Sequence, residues 1–483
     1  MIEKLSIKWF YAIGLAFLAL FLVGIYLIPN NLGLLIAGIP FVALFIWLFI
    51  TQTKIILFFT VFAVPLSIPI NDVGGGLGMT FPTEPIIILV FLGLILKLIN
   101  GFTFDVKLLT QGLSLLIIGD LMWTLITSFS STMPLISAKF LISRFWYVLI
   151  FYFLFATFFK ELKSIQKFIW VIGASLCLLA VYTIYKHSLG GFGRGLAYAA
   201  MRPFIPDHGM YAALVAFFIP PFFVFSIWGF YLKQGIASRI IAFLMASFLS
   251  VAVVLSFTRA AWLSLAAAAA LTIAIVLGFR FRTILLGLIA IGTVYFYLQN
   301  DIQTQLSRNK QGSDDNMEDH LSSMTNVSTD PSNLERLNRW NCAYRMFKER
   351  PILGWGAGTY VFQYAPFQVS SEMTIISTHS GDLGNVHSEY LRPLCETGLV
   401  GALFWIGVVL YTIYLGFRIF RNSKNNEVRY LALALVSGIS TYFVHAFLNN
   451  YSEFDKLAVP MWGFMAALVA LNVYKFEDDL ETV

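Results

Sequence analysis

The sequence predicts an all-α protein: a polytopic transmembrane helical bundle of about 12–14 spans, with one large external loop that contains an amphipathic helix. Three observations predict it. Of 483 residues, 58% are hydrophobic and only 12% charged, with mean hydropathy +0.78, which is too apolar for a water-soluble domain. The apolar residues form continuous blocks of spanning length. A closed barrel would show short alternating segments instead, whereas a helix satisfies its backbone within each block. Finally, one long polar interval, residues 300–396, interrupts the blocks.

The expected spans are 9–29, 33–50, 54–70, 82–99, 108–128, 138–159, 165–186, 209–229, 238–257, 260–279, 283–299, 397–417, 429–449 and 457–475. The run after Lys4 and Lys8 lacks a small-residue cleavage site and reads as a retained first helix. Basic residues such as Lys54, Lys97, Lys107, Lys160, Lys233, Arg239, Arg280, Arg282, Arg418, Arg421 and Lys475 fall in alternate connections, which marks that side as cytoplasmic. The net charge of +6 therefore reflects topology, and no nucleic-acid partner is expected. The chain divides into an N-terminal transmembrane region (1–237), a core that includes the external loop (238–417), and C-terminal helices with a cytoplasmic tail (418–483).

On the opposite, external side the exceptions carry the information. Lys186, Arg194, Arg202 and Arg259 place cations where the charge rule gives no reason for them. Lys139 and Arg144 lie in the first turns of the sixth span; Arg144 either snorkels to the interface or faces a cavity holding a charged head group. Asp120 and Glu84 read as structural salt-bridge partners within the bundle. Gly190 to Gly195 is flexible but follows no strand, so it is no nucleotide-binding loop. Arg202-Pro203-Phe204-Ile205-Pro206-Asp207-His208 precedes the eighth span, with Asp207 as the expected N-cap. In Ser256-Phe257-Thr258-Arg259-Ala260-Ala261-Trp262 the chain reverses almost without a loop. That brings Arg259, two hydroxyls and free helix-end amides together as donors for phosphate oxygens; the alternative is that 238–279 is one broken helix pair whose arginine snorkels to the interface.

Within the long loop, 305–332 is polar without apolar period. Leu337, Trp340, Tyr344 and Phe347 then recur at helical spacing, predicting an amphipathic helix stopped by Pro351, with Arg336 and Arg339 on one face. Pro351-Ile352-Leu353-Gly354-Trp355-Gly356-Ala357-Gly358 predicts a turn with several positive-φ residues. His387 stands just ahead of a helix leading into the next span. With an ordinary pKa of about 6.5, an imidazole there is the natural general base for a sugar hydroxyl. His379 and His445 are the competing candidates. The three cysteines show no metal spacing, and no Asp-x-Asp pair or His/Cys cluster marks the external face, so neither a metal nor a cofactor is expected.

Ser256 to Ala260, then Arg336 to Trp340 leading into Pro351 to Gly356, then His387-Ser388-Glu389-Tyr390-Leu391 with Glu396-Thr397-Gly398-Leu399-Val400-Gly401, resemble the O-antigen ligase and polymerase superfamily in order and spacing. The likeness covers about residues 240–405. Ala260 stands where that family commonly has Gly, Ser388 where Asn often follows the His, and Gly209 where Asn is frequent. The resemblance implies a bacterial inner-membrane glycosyltransferase, with its active site facing the periplasm, that takes a glycan from undecaprenyl diphosphate and passes it to lipid A-core, another glycan or a protein. It further implies that Arg259 and His387 are catalytic. Arg202 matches a basic residue of the family, and Arg144, Arg336 and Arg339 are expected to help bind the diphosphate. A polymerase of the same superfamily is the alternative. A transporter is the rival of another class, disfavoured because no inverted repeat is evident.

The charge alternation makes a direct prediction. Cysteine labelling from outside intact cells should reach Ser322→Cys and not Asn425→Cys; equal labelling of both would overturn the topology.

Overall fold

The computed structural model describes residues 31–70, 78–287, 331–374 and 384–476, with isolated positions at 16, 19, 289, 290, 293 and 377. Asn31–Thr51 (α1) and Thr53–Ala63 (α2) come first, bent by 115° where the two pieces meet. The expected span 54–70 is therefore shorter than its apolar run. After Leu66 the chain leaves the helix and forms β1 (Ile68–Ile70), which pairs antiparallel with β2 (Met79–Phe81). This hairpin departs from the otherwise all-α expectation. Thr83–Ile99 (α3) follows, then Gly112–Phe129 (α4), Pro134–Phe158 (α5), Leu162–Ser188 (α6), His208–Trp228 (α7), Ile236–Leu255 (α8) and Arg259–Val276 (α9). Beyond lie Pro331–Glu349 (α10), Leu391–Glu396 (α11), Gly398–Asn422 (α12), Asn426–His445 (α13) and Asp455–Lys475 (α14).

Among the described residues nine helices are long and apolar enough to cross a membrane: α4 to α9 and α12 to α14. Each coincides with an expected span, so the chain is an all-α, multi-pass membrane protein. The spans expected at 9–29 and 283–299 lie largely outside the described residues.

Burial orders these helices. The apolar window of α14 is 94% buried, that of α13 83% and that of α7 78%, against 28% for α8 and 22% for α9. Helices α7, α13 and α14 form the centre, with α8, α9 and α12 packed around them. Lipid is as apolar as leucine, so close packing supplies the preference for the centre, and small residues permit it. A Cβ on Gly438 of α13 would stand 2.8 Å from the Phe217 carbonyl of α7, and one on Gly463 of α14 only 2.3 Å from the Phe168 ring of α6.

A buried polar knot fixes the hairpin to this centre. Lys456 donates to the carbonyls of Val64 (2.7 Å) and Ser67 (2.8 Å), while Asp455 accepts from Thr83 (2.6 Å) and Ser67 (3.0 Å). Glu84, expected to be ion-paired, instead accepts the Thr80 amide at 3.0 Å.

Candidate functional site

The described part of the long loop folds as a cap with a small core of its own, built on Cys342, Met346, Tyr360, Tyr364, Val386 and Cys395. The amphipathic helix α10 is present where the spacing places it. Its buried face differs from the expected one: Glu335, Asn338, Arg339, Cys342 and Met346 are buried, while Tyr344 of the apolar stripe is exposed. Gly354 (φ 67°), Gly356 (φ 111°) and Gly358 (φ 75°) supply the positive-φ positions of the turn. That turn is bonded to α11. The amides of Trp355 and Gly356 donate to the carbonyls of Cys395 (3.1 Å) and Glu396 (2.8 Å), and those of Gly358 and Tyr360 donate to the Glu396 carboxylate (2.9 and 3.1 Å). Burial pushes Glu396 up to about 7, against the pull of Arg392 and these amides.

The stretch after His387 is anchored residue by residue. Ser388 Oγ accepts the amides of Tyr390 (3.3 Å) and Leu391 (3.4 Å) in the turn ahead of α11. Glu389 accepts from Tyr442 Oη (2.8 Å), the Ser452 amide (2.6 Å) and Arg392 (2.8 Å), and Arg392 also pairs with Glu453 at 2.8 Å. Tyr390 donates to the Phe443 carbonyl at 2.9 Å and stacks on Phe447. His387 precedes these anchors in a left-handed conformation (φ 55°), costly for a non-glycine residue and held by its surroundings. Its carbonyl accepts from Trp340 Nε1 of α10 at 3.3 Å, and its ring is hydrogen-bonded to Asn449. Asn449 lies 3.0 Å from Nε2 of His445, so one amide side chain joins two of the three candidate histidines. His379 lies outside the described residues.

Burial first, then the charges of Arg336 and Arg339, lower the His387 pKa to about 4, with the Asn449 hydrogen bond opposing them. The ring is therefore neutral throughout the physiological range. Arg336 is held by its Nε–H bond to the Leu448 carbonyl (3.3 Å), and its charge acts on His208, His445 and Tyr451 as well as on His387. Residues from α7, α13 and the loop are thus within reach of the charge of one guanidinium on α10.

Arg259 opens α9 behind Thr258, whose hydroxyl reaches the His208 carbonyl at 3.4 Å, so the N-terminal ends of α7 and α9 lie side by side. Asp207 caps α7 as expected, accepting from Gly209 (2.7 Å) and Met210 (3.3 Å), and it also accepts from Tyr451 Oη at 3.2 Å. Arg202 is exposed on the turn ahead of this cap, its Nε–H directed at the Pro206 carbonyl (3.2 Å) and its own carbonyl taken by Lys186 (2.8 Å).

The other two arginines have carboxylate partners. Arg144 is 2.9 Å from Asp120, both buried, and lies against the rings of Phe140 and Trp405. Arg339 is 2.5 Å from Glu335, and its guanidinium sits 3.9 Å from the centre of the Tyr364 ring. The charge of Arg336 thus links His387, His445 and His208, and Arg259 opens the helix beside His208; Arg144 and Arg339 are engaged in ion pairs. Sequence reasoning passed over Arg392 and Asn449, and named His208 only within the cluster ahead of its helix. The run Asn449-Asn450-Tyr451 in a very short external connection was the available signal for Asn449. Among the described residues no cluster of three or more His, Cys, Asp or Glu is arranged to hold a metal ion.

The Arg144–Asp120 pair makes a prediction. Breaking a buried pair from one side leaves an uncompensated charge, at a cost of about 3–5 kcal/mol, whereas removing both charges costs much less. Arg144→Met should therefore lower the thermal midpoint of the detergent-purified protein strongly, and Asp120→Leu/Arg144→Met should recover most of the loss. Independent, additive effects would show that Arg144 does not depend on Asp120.

A search of curated proteins gives no match to this chain. Residues 240–406 match the family model described as O-antigen ligase, a segment that contains Arg259, Arg336, Arg339 and His387 and excludes Arg144 and Arg202. The chain therefore carries a domain of the O-antigen ligase and polymerase superfamily, built into a multi-pass membrane protein of the ligase-like or polymerase type.

Proposed function

We propose that the protein moves a glycan from a polyprenyl-diphosphate donor, undecaprenyl diphosphate in a bacterial inner membrane, to an acceptor hydroxyl on the periplasmic face. One observation carries this reading: the charge of Arg336 acts on both a half-buried His387 and His208, and His208 opens α7 beside the N-terminal end of α9. Helix N-termini and guanidinium groups favour a diphosphate, and a neutral imidazole favours an acceptor proton.

In the reaction so read, the acceptor oxygen forms a bond to the anomeric carbon as the bond from that carbon to the diphosphate oxygen breaks. His387 takes the acceptor proton, and negative charge moves onto the departing diphosphate. Arg259 and Arg336 neutralise that charge where it develops, and Arg202 guides the donor from the exposed turn. In this reading the arginines suffice without a metal, and attack opposite the leaving group inverts the anomeric carbon. Arg144 and Arg339 act from behind, holding α4 to α5 and shaping the loop through their carboxylates. The acceptor is lipid A-core for a ligase and a second lipid-linked glycan for a polymerase, with a protein hydroxyl as the third option.

Reconstitution with a lipid-diphosphate glycan and each acceptor in turn tests this function. General-base catalysis contributes about 10²–10⁴-fold, so His387→Ala should lower turnover by that order and leave donor affinity nearly unchanged. Arg259→Ala should abolish turnover, and Arg259→Lys should keep part of it, since lysine preserves the charge but not the bidentate fork. Wild-type turnover in Arg259→Ala would defeat the diphosphate role, and in His387→Ala the role as base.

The pH dependence follows from the low His387 pKa. Because kcat/KM reports the free enzyme, its acid limb should fall near pH 4 and not near the ordinary histidine value. Arg336→Gln removes a positive charge that disfavours the imidazolium, so it should move that limb to higher pH. A limb that stayed in place would mean that Arg336 does not act on the base.

A further inference from the structure

At the other end of α9 and α12 lies a cavity of about 830 Å³ that the proposed reaction does not use. Arg280 and Arg282 border it just beyond the last turn of α9, and Arg418 and Arg421 border it from the last turns of α12. The described residues lining it include no carboxylate. Helix α9 starts with Arg259 and α12 starts beside Glu396. At about 1.5 Å per residue, their lengths put this cavity about 25–35 Å from the candidate site. This is the end to which the loop charges assign the cytoplasmic leaflet.

The wall beneath the arginines is apolar. Phe281 stands edge-on to Tyr414 with ring centres 5.5 Å apart, and Leu116 of α4 and Leu410 of α12 continue the surface toward the middle of the bundle. Arg421 is tied to the Phe279 carbonyl at 3.4 Å, which joins the two arginine-bearing segments. A basic rim over an apolar wall between transmembrane helices matches one chemistry, a phosphate headgroup with hydrocarbon chains attached. The charge rule accounts for arginines on this side of the membrane. It does not account for four of them converging on one concave, aromatic-walled space.

We propose that this cavity is a binding site for an anionic glycerophospholipid, its phosphate held by the four arginines and its acyl chains lying along α4 and α12. The site is separate from the one that carries the proposed glycan transfer, and its test needs neither donor nor acceptor.

The detergent-purified full chain should be titrated with phosphatidylglycerol, phosphatidylcholine and soluble glycerol 1-phosphate, and binding read by native mass spectrometry. A basic residue near an anionic surface contributes about 1 kcal/mol, or about fivefold. Phosphatidylglycerol should therefore be preferred over phosphatidylcholine by at least about tenfold. The fourfold variant Arg280→Gln/Arg282→Gln/Arg418→Gln/Arg421→Gln should lose that preference, and the corresponding fourfold lysine variant should keep most of it. Should the fourfold glutamine variant fail to fold, Arg280→Gln/Arg282→Gln and Arg418→Gln/Arg421→Gln, each removing one side of the rim, should each reduce the preference. An unchanged preference in the glutamine variants would overturn the site. Glycerol 1-phosphate binding as well as the lipid would overturn the role of the apolar wall.

Discussion

The carboxylate of Glu389 holds together the point at which the long loop returns to the bundle. It binds the hydroxyl of Tyr442 in α13, the backbone of Ser452 ahead of α14 and the guanidinium of Arg392 in α11. A buried charge in apolar surroundings is costly unless each of its lone pairs has a partner, and here Arg392 one helical turn on and two residues more than fifty positions later supply them. The position of His387, two residues earlier, follows from that anchoring. The imidazole is held in a left-handed turn because the residues after it cannot move.

This arrangement separates two uses of charge. Arg392, Arg144 and Arg339 each face a carboxylate and brace helices or loop. Arg336 also donates to the Leu448 carbonyl, and its charge acts on His387, His208 and Tyr451. Burial first, and the neighbouring cations second, lower the His387 pKa, which suits the proposed site for an anionic donor. A diphosphate bound beside Arg336 would oppose that field and raise the basicity of the ring at the moment an acceptor proton must be taken.

At the opposite end of α9 and α12 the same residue type serves the membrane. Arg280, Arg282, Arg418 and Arg421 stand over aromatic and aliphatic walls, a combination that suits a lipid better than a soluble anion. One pair of helices thus carries arginines at both ends, with the buried helices α7, α13 and α14 holding the ends apart.

The sequence by itself determined the bundle, the nine described spans, the helix at Pro331–Glu349 and its stop before Pro351, because each is written in local patterns of hydropathy, spacing and backbone freedom. It also singled out Arg259 and His387, since a cation against the charge rule and a lone imidazole at a helix start stand out without any partner being known. Tertiary structure alone decided which arginines are paired. Asp120 and Arg144 lie on different helices, and the Glu335–Arg339 pair matters because the polar face of α10 turns inward. The i,i+4 spacing of Glu335 and Arg339 is local, but their burial and the pairing of Asp120 with Arg144 are not: periodicity shows that a helix has an apolar side but not which side the protein covers. The hairpin after Leu66 was hidden as well. Its apolar strand continues a helical run without a break in hydropathy; Pro65 and Pro69 end the helix locally, and Asp455 and Lys456 bind the turn that follows.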